Sequence, residues 1–79
     1  MSRELKTFVD PNGRLKTARD IQVISHQIRD AINNTTFTEL YVKITVVGKR
    51  RGEWVEYMPL KDFVRLNPGL AEELFKQSV

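Results

Sequence analysis

The sequence contains no cysteine and only one histidine among its 79 residues. The missing cysteines exclude disulfide bonds, cysteine nucleophiles and thiolate metal sites, and a lone histidine cannot form a histidine cluster for zinc. A strong charge of one sign is also absent, since 13 basic and 10 acidic residues give a net charge of +3. This balance excludes a histone-like charge carrier and leaves only a mild basic excess.

Long hydrophobic runs are absent as well. The uncharged segments, such as residues 31–38, are much shorter than the roughly 20 apolar residues that a membrane span requires. The charged N-terminus leads into no apolar stretch, which argues against a signal peptide. We therefore expect an intracellular, cytoplasmic protein that does not insert into a membrane.

The length and composition predict one small domain, residues 1–79. Hydrophobic residues make up 41% of the chain and charged residues 29%, which is typical of a folded globular domain. A chain of this size buries only about 60–65% of the surface that its unfolded form exposes. We therefore expect a small core and marginal stability.

The first predicted element is a β-hairpin over residues 5–17. Residues 5–9 alternate between apolar and polar side chains. Residues 10–13 (DPNG) match a type I turn, with Gly13 in the left-handed conformation. The returning strand is then expected to place Val9 opposite Arg14 and Phe8 opposite Leu15.

A long amphipathic helix is predicted over residues 18–33. Four isoleucines fall at spacings of three, four and four and so share one side of a helix: Ile21, Ile24, Ile28 and Ile32. Thr17 provides a candidate N-terminal cap for this helix. We expect the isoleucine stripe to form the main contact with the sheet.

A second hairpin is predicted over residues 39–58, with a glycine-bounded turn. One possible register places the Glu56 carboxylate opposite Ile44 on the apolar face. Shifting the strands by one residue pairs Ile44 with Val55 and Lys43 with Glu56, which keeps one face apolar and matches opposite charges. The sequence therefore favours the second register.

Residues 60–77 predict a helical tail with an interruption at Asn67-Pro68, where proline suits the first turn of a new helix. The predicted fold class is α+β and ββαββα-like. Two antiparallel hairpins, expected to join in one sheet, flank one long helix, and one or two short C-terminal helices follow. A helix-turn-helix is a weaker alternative for the tail, because Glu72 and Glu73 would repel a phosphate backbone.

A run of three cations at the tip of the second hairpin is the strongest functional signal: Lys49, Arg50 and Arg51. A two-stranded ribbon with a basic tip fits the major groove or follows phosphates. If the two hairpins lie side by side, three further cations extend this patch: Arg14, Lys16 and Arg19. The competing interpretation is that a basic turn merely increases solubility.

A second group follows from the predicted register, which places four residues on one sheet face: Tyr41, Lys43, Trp54 and Met58. Exposed aromatic side chains on a sheet stack nucleobases or anchor a protein partner. Alternatively, the C-terminal helices cover this face and bury their own apolar residues against it.

Candidate catalytic residues are few. On the predicted helix, His26 and Asp30 are four residues apart and could pair, although a solvated pair is the commoner arrangement. No phosphate-binding glycine motif is present. We therefore expect a non-enzymatic binding or regulatory module without cofactor or metal, which contacts nucleic acid through the basic tip. The alternative is a protein-binding adaptor or inhibitor, including a homodimer, that uses the aromatic face.

Overall fold

The computed structural model describes residues 5–50 and 52–77. Its four antiparallel strands form one curled sheet in which each strand lies beside its neighbour in sequence: β1 (Lys6–Val9), β2 (Leu15–Asp30), β3 (Thr35–Val47) and β4 (Glu53–Pro59). Two short helices follow: α1 (Leu60–Leu66) and α2 (Pro68–Gln77). The predicted joining of the two hairpins is confirmed, and so is the helical tail. No helix in the described part of the chain is long and apolar enough to cross a membrane.

The predicted long helix over residues 18–33 is wrong, because this segment belongs to a 16-residue strand and the turn after it. The isoleucines do not form a stripe. Ile21 packs against the core, whereas Ile24 and Ile28 lie on the opposite sheet face. Ile32 lies in the turn and is 95% exposed. The fold is therefore mostly antiparallel sheet, and the ββαββα-like fold class is wrong.

The turn between β2 and β3 explains why the chain reverses at this point. The Asp30 carboxylate accepts hydrogen bonds from the backbone N–H groups of Ile32 (3.0 Å) and Asn33 (3.3 Å). Asn34 has a φ of 52°, in the left-handed region that asparagine tolerates better than most residues. These residues form a hairpin turn, and Thr35 can then begin β3 directly.

The turn of the first hairpin is confirmed, but its register is shifted by one residue. Gly13 has a φ of 82°, and its N–H donates to the Asp10 carbonyl at 2.9 Å. Val9 lies opposite Leu15, because Asp10 itself pairs with Arg14. The Asp10 carboxylate also accepts the Arg14 N–H at 2.8 Å, which closes the loop one residue earlier than predicted.

The predicted register of the second hairpin is wrong as well. Val47 lies opposite Glu53, Ile44 opposite Glu56, and Val42 opposite Met58. Glu56 therefore shares a face with core residues. Its charge is compensated by Lys16, which reaches it from β2 across β3.

The core lies between one face of the sheet and the two helices. Apolar residues from β1 to β4 meet one residue from each helix: Phe8, Ala18, Val42, Ile44, Val46, Met58, Phe63 and Ala71. At about 25 cal/mol per Å² of buried apolar surface, these side chains provide the main stabilisation of the fold. The opposite sheet face is covered by neither α1 nor α2 and is called the open face below.

The central hairpin extends beyond its neighbours. β1 pairs only with residues 15–18 of β2, and β4 pairs only with residues 41–47 of β3. Residues 25–30 and 35–40 therefore form a two-stranded arm. A lone two-stranded ribbon is marginally stable in water.

Candidate functional site

Two turns meet at one end of the sheet. Because successive strands alternate in direction, the turn after β1 and the turn after β3 lie at the same end, and the turn after β2 lies at the other. Arg14 belongs to the first of these turns, and Lys49 and Arg50 belong to the second; all three are exposed. We call the surface formed by Arg14, Lys49 and Arg50 the basic end. The predicted site residue Arg51 lies outside the described residues.

The cations of the basic end carry uncompensated charge. Within residues 5–50 and 52–77, none of Arg14, Lys49 and Arg50 forms a salt bridge. The side-by-side arrangement that was needed to bring the two hairpin turns together is present. The basic end therefore contains Lys49 and Arg50 from the predicted hairpin tip. It contains Arg14 from the three further cations that were expected to extend the patch.

Lys16, in contrast, is held within the fold. Its ammonium lies 3.0 Å from the Asp10 carboxylate and 2.8 Å from that of Glu56. Asp10 is buried, and Lys16 and Glu56 are largely covered. This cluster links β1, β2 and β4, and its role is structural.

The pKa values in this cluster follow from its contacts. The pKa of Lys16 lies above its ordinary value, first because Lys16 donates to Glu56 and second because it donates to Asp10. The pKa of Asp10 is lowered, chiefly by the hydrogen bond from the backbone N–H of Arg14. Burial acts to raise the pKa of Glu56, but hydrogen bonds from Lys16 and Trp54 outweigh it and lower that pKa. All three groups are therefore held in their charged forms.

Arg19 is also engaged by a carboxylate. It lies at the irregularity in β2 between Ala18 and Asp20, and its guanidinium is 2.6 Å from Glu53. Both side chains are about half exposed, so this bridge is worth at most about 1 kcal/mol. It nevertheless reduces the positive charge that Arg19 presents to a ligand.

Trp54 packs against the turn that carries Lys49 and Arg50. The Gly48 N–H donates to the Gly52 carbonyl at 2.7 Å, and the Trp54 indole N–H donates to Glu56 at 2.7 Å. A Cβ on Gly48 would lie only 2.5 Å from the Trp54 ring. The absence of a side chain at Gly48 therefore permits Trp54 to pack across the base of the turn.

The predicted aromatic group does not form one surface. The observed register places Trp54 and Met58 on the helix-covered face, and Met58 is buried. Tyr41 and Lys43 lie on the open face. The alternative that helices cover this group is thus correct for Met58 only.

The open face has a groove of about 440 Å³, lined by Ile24, His26, Tyr41 and Tyr57. The His26 ring meets the Tyr41 ring edge to face, with their centroids 5.8 Å apart. Exposed apolar side chains extend this face, since Tyr57 is 59% exposed and Phe37 is 50% exposed. Such an uncovered apolar surface is typical of an interaction site.

The sequence interpretation missed this groove because both of its assumptions about side-chain direction were wrong. The predicted helix placed Ile24 in a stripe that packs on the sheet rather than within it, and the predicted register turned Tyr57 toward the core. The strand signal that would have found it is the alternation of Ile24, His26 and Ile28 with Ser25 and Gln27, together with the β-branched residues of this segment.

The histidine pair considered from the sequence does not form. Four residues along a strand separate His26 from Asp30 by about 13 Å, and Asp30 instead bonds Ile32 and Asn33. The residues that the structure describes contain no group of three or more side chains suited to holding a metal ion.

No family model matches the chain, and no curated protein or solved structure is significantly similar to it. The function must therefore be argued from the basic end and the open face themselves.

Proposed function

We propose that the chain is a small non-enzymatic binding module that contacts the phosphate backbone of nucleic acid through its basic end. The observation that carries this proposal is the meeting of Arg14, Lys49 and Arg50 at one end of the sheet without carboxylate partners among the described residues. Phosphates bound there would release counterions, which is the main source of sequence-independent affinity.

The distinction between paired and unpaired cations supports this choice of residues. Lys16 and Arg19 already contact carboxylates at 2.6–3.0 Å, so a phosphate would have to compete with an existing partner. Arg14, Lys49 and Arg50 have no such competitor among the described side chains. The proposed contact surface therefore omits Lys16 and Arg19.

The shape of the tip supports the same conclusion. A hairpin held at its base by Gly48 and Trp54 presents Lys49 and Arg50 on a defined projection. Arg14 lies in the turn between β1 and β2, at the same end of the sheet. Because the described side chains of the basic end are all cations, we expect contact with phosphates rather than with particular bases.

The test is fluorescence anisotropy of labelled 20-nucleotide single strands and duplexes with the full chain at about 50 mM salt, where electrostatic binding is strong. The variants are Arg14→Ser and the double replacement Lys49→Ser/Arg50→Ser. Each cation removed should lower the log–log salt slope by roughly 0.7–0.9. Lys61→Ser is the matched control, because Lys61 is exposed on α1, about 20 Å along β4 from the tip.

Three results would contradict the proposal. The wild-type chain could fail to bind either oligonucleotide, or Lys61→Ser could weaken binding as much as Lys49→Ser/Arg50→Ser. A poly-glutamate peptide could also bind as tightly as the oligonucleotides, which would indicate an acidic protein as the partner.

A protein-binding role is the second candidate, and the uncovered open face favours it. Tyr41, Tyr57 and Phe37 offer the large aromatic contacts that dominate protein interfaces. This surface is separate from the basic end, so the two roles are not exclusive.

A further inference from the structure

The two charged residues of β3 on the open face lie symmetrically about Tyr41. Along β3 this face presents Glu39, Tyr41 and Lys43 at alternate positions, so each charge lies about 7 Å from Tyr41 in opposite directions. Neither Glu39 nor Lys43 forms a salt bridge with another described residue. Along β3 the open face therefore carries one charge of each sign that has no salt bridge among the described residues, on either side of an aromatic centre.

The neighbouring strands extend this pattern. On β2, His26 lies opposite Glu39, Ile24 opposite Tyr41, and Gln22 opposite Lys43. The central row is therefore apolar. The row of Glu39 is polar, and the row of Lys43 is polar apart from Tyr57, which lies opposite Lys43 on β4. An apolar centre surrounded by polar groups is the usual anatomy of a protein interface.

We propose that a second copy of this chain occupies the open face. The two sheets pack face to face about a two-fold axis that passes between the two Tyr41 side chains and runs perpendicular to the strands. This operation places Lys43 of each copy over Glu39 of the other, and it does so twice because the interface is symmetric. The two central rows, each with Ile24 and Tyr41, then form the middle of the contact.

The same charges exclude the alternative two-fold arrangement. If the facing strands ran in the same direction, Lys43 would meet Lys43 and Glu39 would meet Glu39, and like charges in an interface are strongly unfavourable. Aligned sheets pack about 10 Å apart with a rotation of about 30°, and long side chains can still meet across such a gap. The charge pattern therefore selects both the partner and its orientation.

Other features of the open face are consistent with this arrangement. Phe37 and Val55 lie toward opposite ends of the face, so the two-fold brings Phe37 of one copy to the end that carries Val55 of the other. A stable interface needs about 800 Å² from each partner, out of 6302 Å² of accessible surface on the chain. The basic ends of the two copies remain at opposite ends of the dimer, so this inference does not depend on the proposed function.

The test is a charge exchange followed by sedimentation equilibrium of the full chain. Wild-type protein should have twice the 9.2 kDa mass of one chain at micromolar concentrations. Lys43→Glu and Glu39→Lys should each raise the dimer dissociation constant at least about tenfold, because each juxtaposes like charges. The double variant Lys43→Glu/Glu39→Lys should restore the wild-type constant, since both pairs are re-formed with exchanged signs.

Circular dichroism spectra establish that each variant is folded, and Lys49→Glu at the basic end is the control that should leave the constant unchanged. A wild-type chain that stays monomeric to about 0.5 mM would overturn the proposal and leave the face to a different protein. A dimer that resists both single variants, or a double variant that fails to restore dimerisation, would also overturn it.

Discussion

The side chain of Asn67 pairs with the backbone of Val9. Its carboxamide oxygen accepts the Val9 N–H at 2.7 Å, and its amide nitrogen donates to the Val9 carbonyl at 3.0 Å. These are the two hydrogen bonds that a residue of a further strand would supply to β1. Asn67, located between α1 and α2, therefore connects the helices to the edge of the sheet, and the segment between the helices is docked rather than free to present a recognition helix.

Replacement of Asn67 by alanine should destabilise the fold. The variant loses two hydrogen bonds and leaves partly buried polar groups of Val9 without partners, which costs about 1–3 kcal/mol. Urea unfolding measures this difference. Gln27→Ala, at an exposed position on the arm, should change the free energy of unfolding by less than about 0.5 kcal/mol. Equal effects of the two replacements would show that the Asn67 contact is not stabilising.

Substitutions of two isoleucines distinguish the observed sheet from the predicted helix. Ile44 is fully buried under the helices, so Ile44→Ala should cost about 2–5 kcal/mol. Ile32 is exposed in the turn after β2, so Ile32→Ala should be nearly neutral. Thermal unfolding of both variants provides the comparison. A large loss at Ile32 would instead support a buried helical stripe.

The cluster of Lys16, Asp10 and Glu56 should make stability depend on acid. The pKa values of Asp10 and Glu56 lie below their ordinary values of 3.8 and 4.5. Their contribution is therefore complete above about pH 4.5 and is lost as the pH falls through the lowered pKa values. The raised pKa of Lys16 affects stability at high pH. The contribution of Lys16 is complete below its ordinary pKa of 10.5 and is lost as the pH rises through the raised pKa.

Lys16→Met tests this cluster. The variant should melt at a lower temperature than wild type at pH 7, because two largely covered carboxylates lose their cation. Its melting temperature should also fall less between pH 7 and pH 3, because Lys16 no longer favours the ionised forms of Asp10 and Glu56. Lys49→Met serves as the control and should follow the wild-type profile. A Lys16→Met profile parallel to that of wild type would contradict the assigned role.

Local signals in the sequence were sufficient where the structure is determined locally. The turn at residues 10–13 depends on a proline and a glycine at fixed positions, and the break between the C-terminal helices depends on Asn67-Pro68. Both are confirmed. The meeting of the two turns at the basic end was also anticipated, although only as a condition on the hairpins lying together.

The predictions were wrong where contacts between residues distant in sequence determine the structure. The spacing of the isoleucines satisfies a helix, but pairing with the whole of β3 stabilises the extended chain. The register of the second hairpin was chosen to keep Glu56 away from apolar residues. The cation that makes this carboxylate acceptable is Lys16, which is 40 positions away in sequence and two strands away in the sheet. No property of β3 and β4 alone reveals it.

The junction between sheet and helices limits how the molecule can move. Pro59 is the last residue of β4, pairs with Tyr41, and immediately precedes α1. Its ring fixes φ, and α1 begins at the next residue, so no spacer separates the sheet from the helix. Movement of the helices away from the sheet would therefore have to break the pairing of Pro59 with Tyr41 or the hydrogen bonds between Asn67 and Val9.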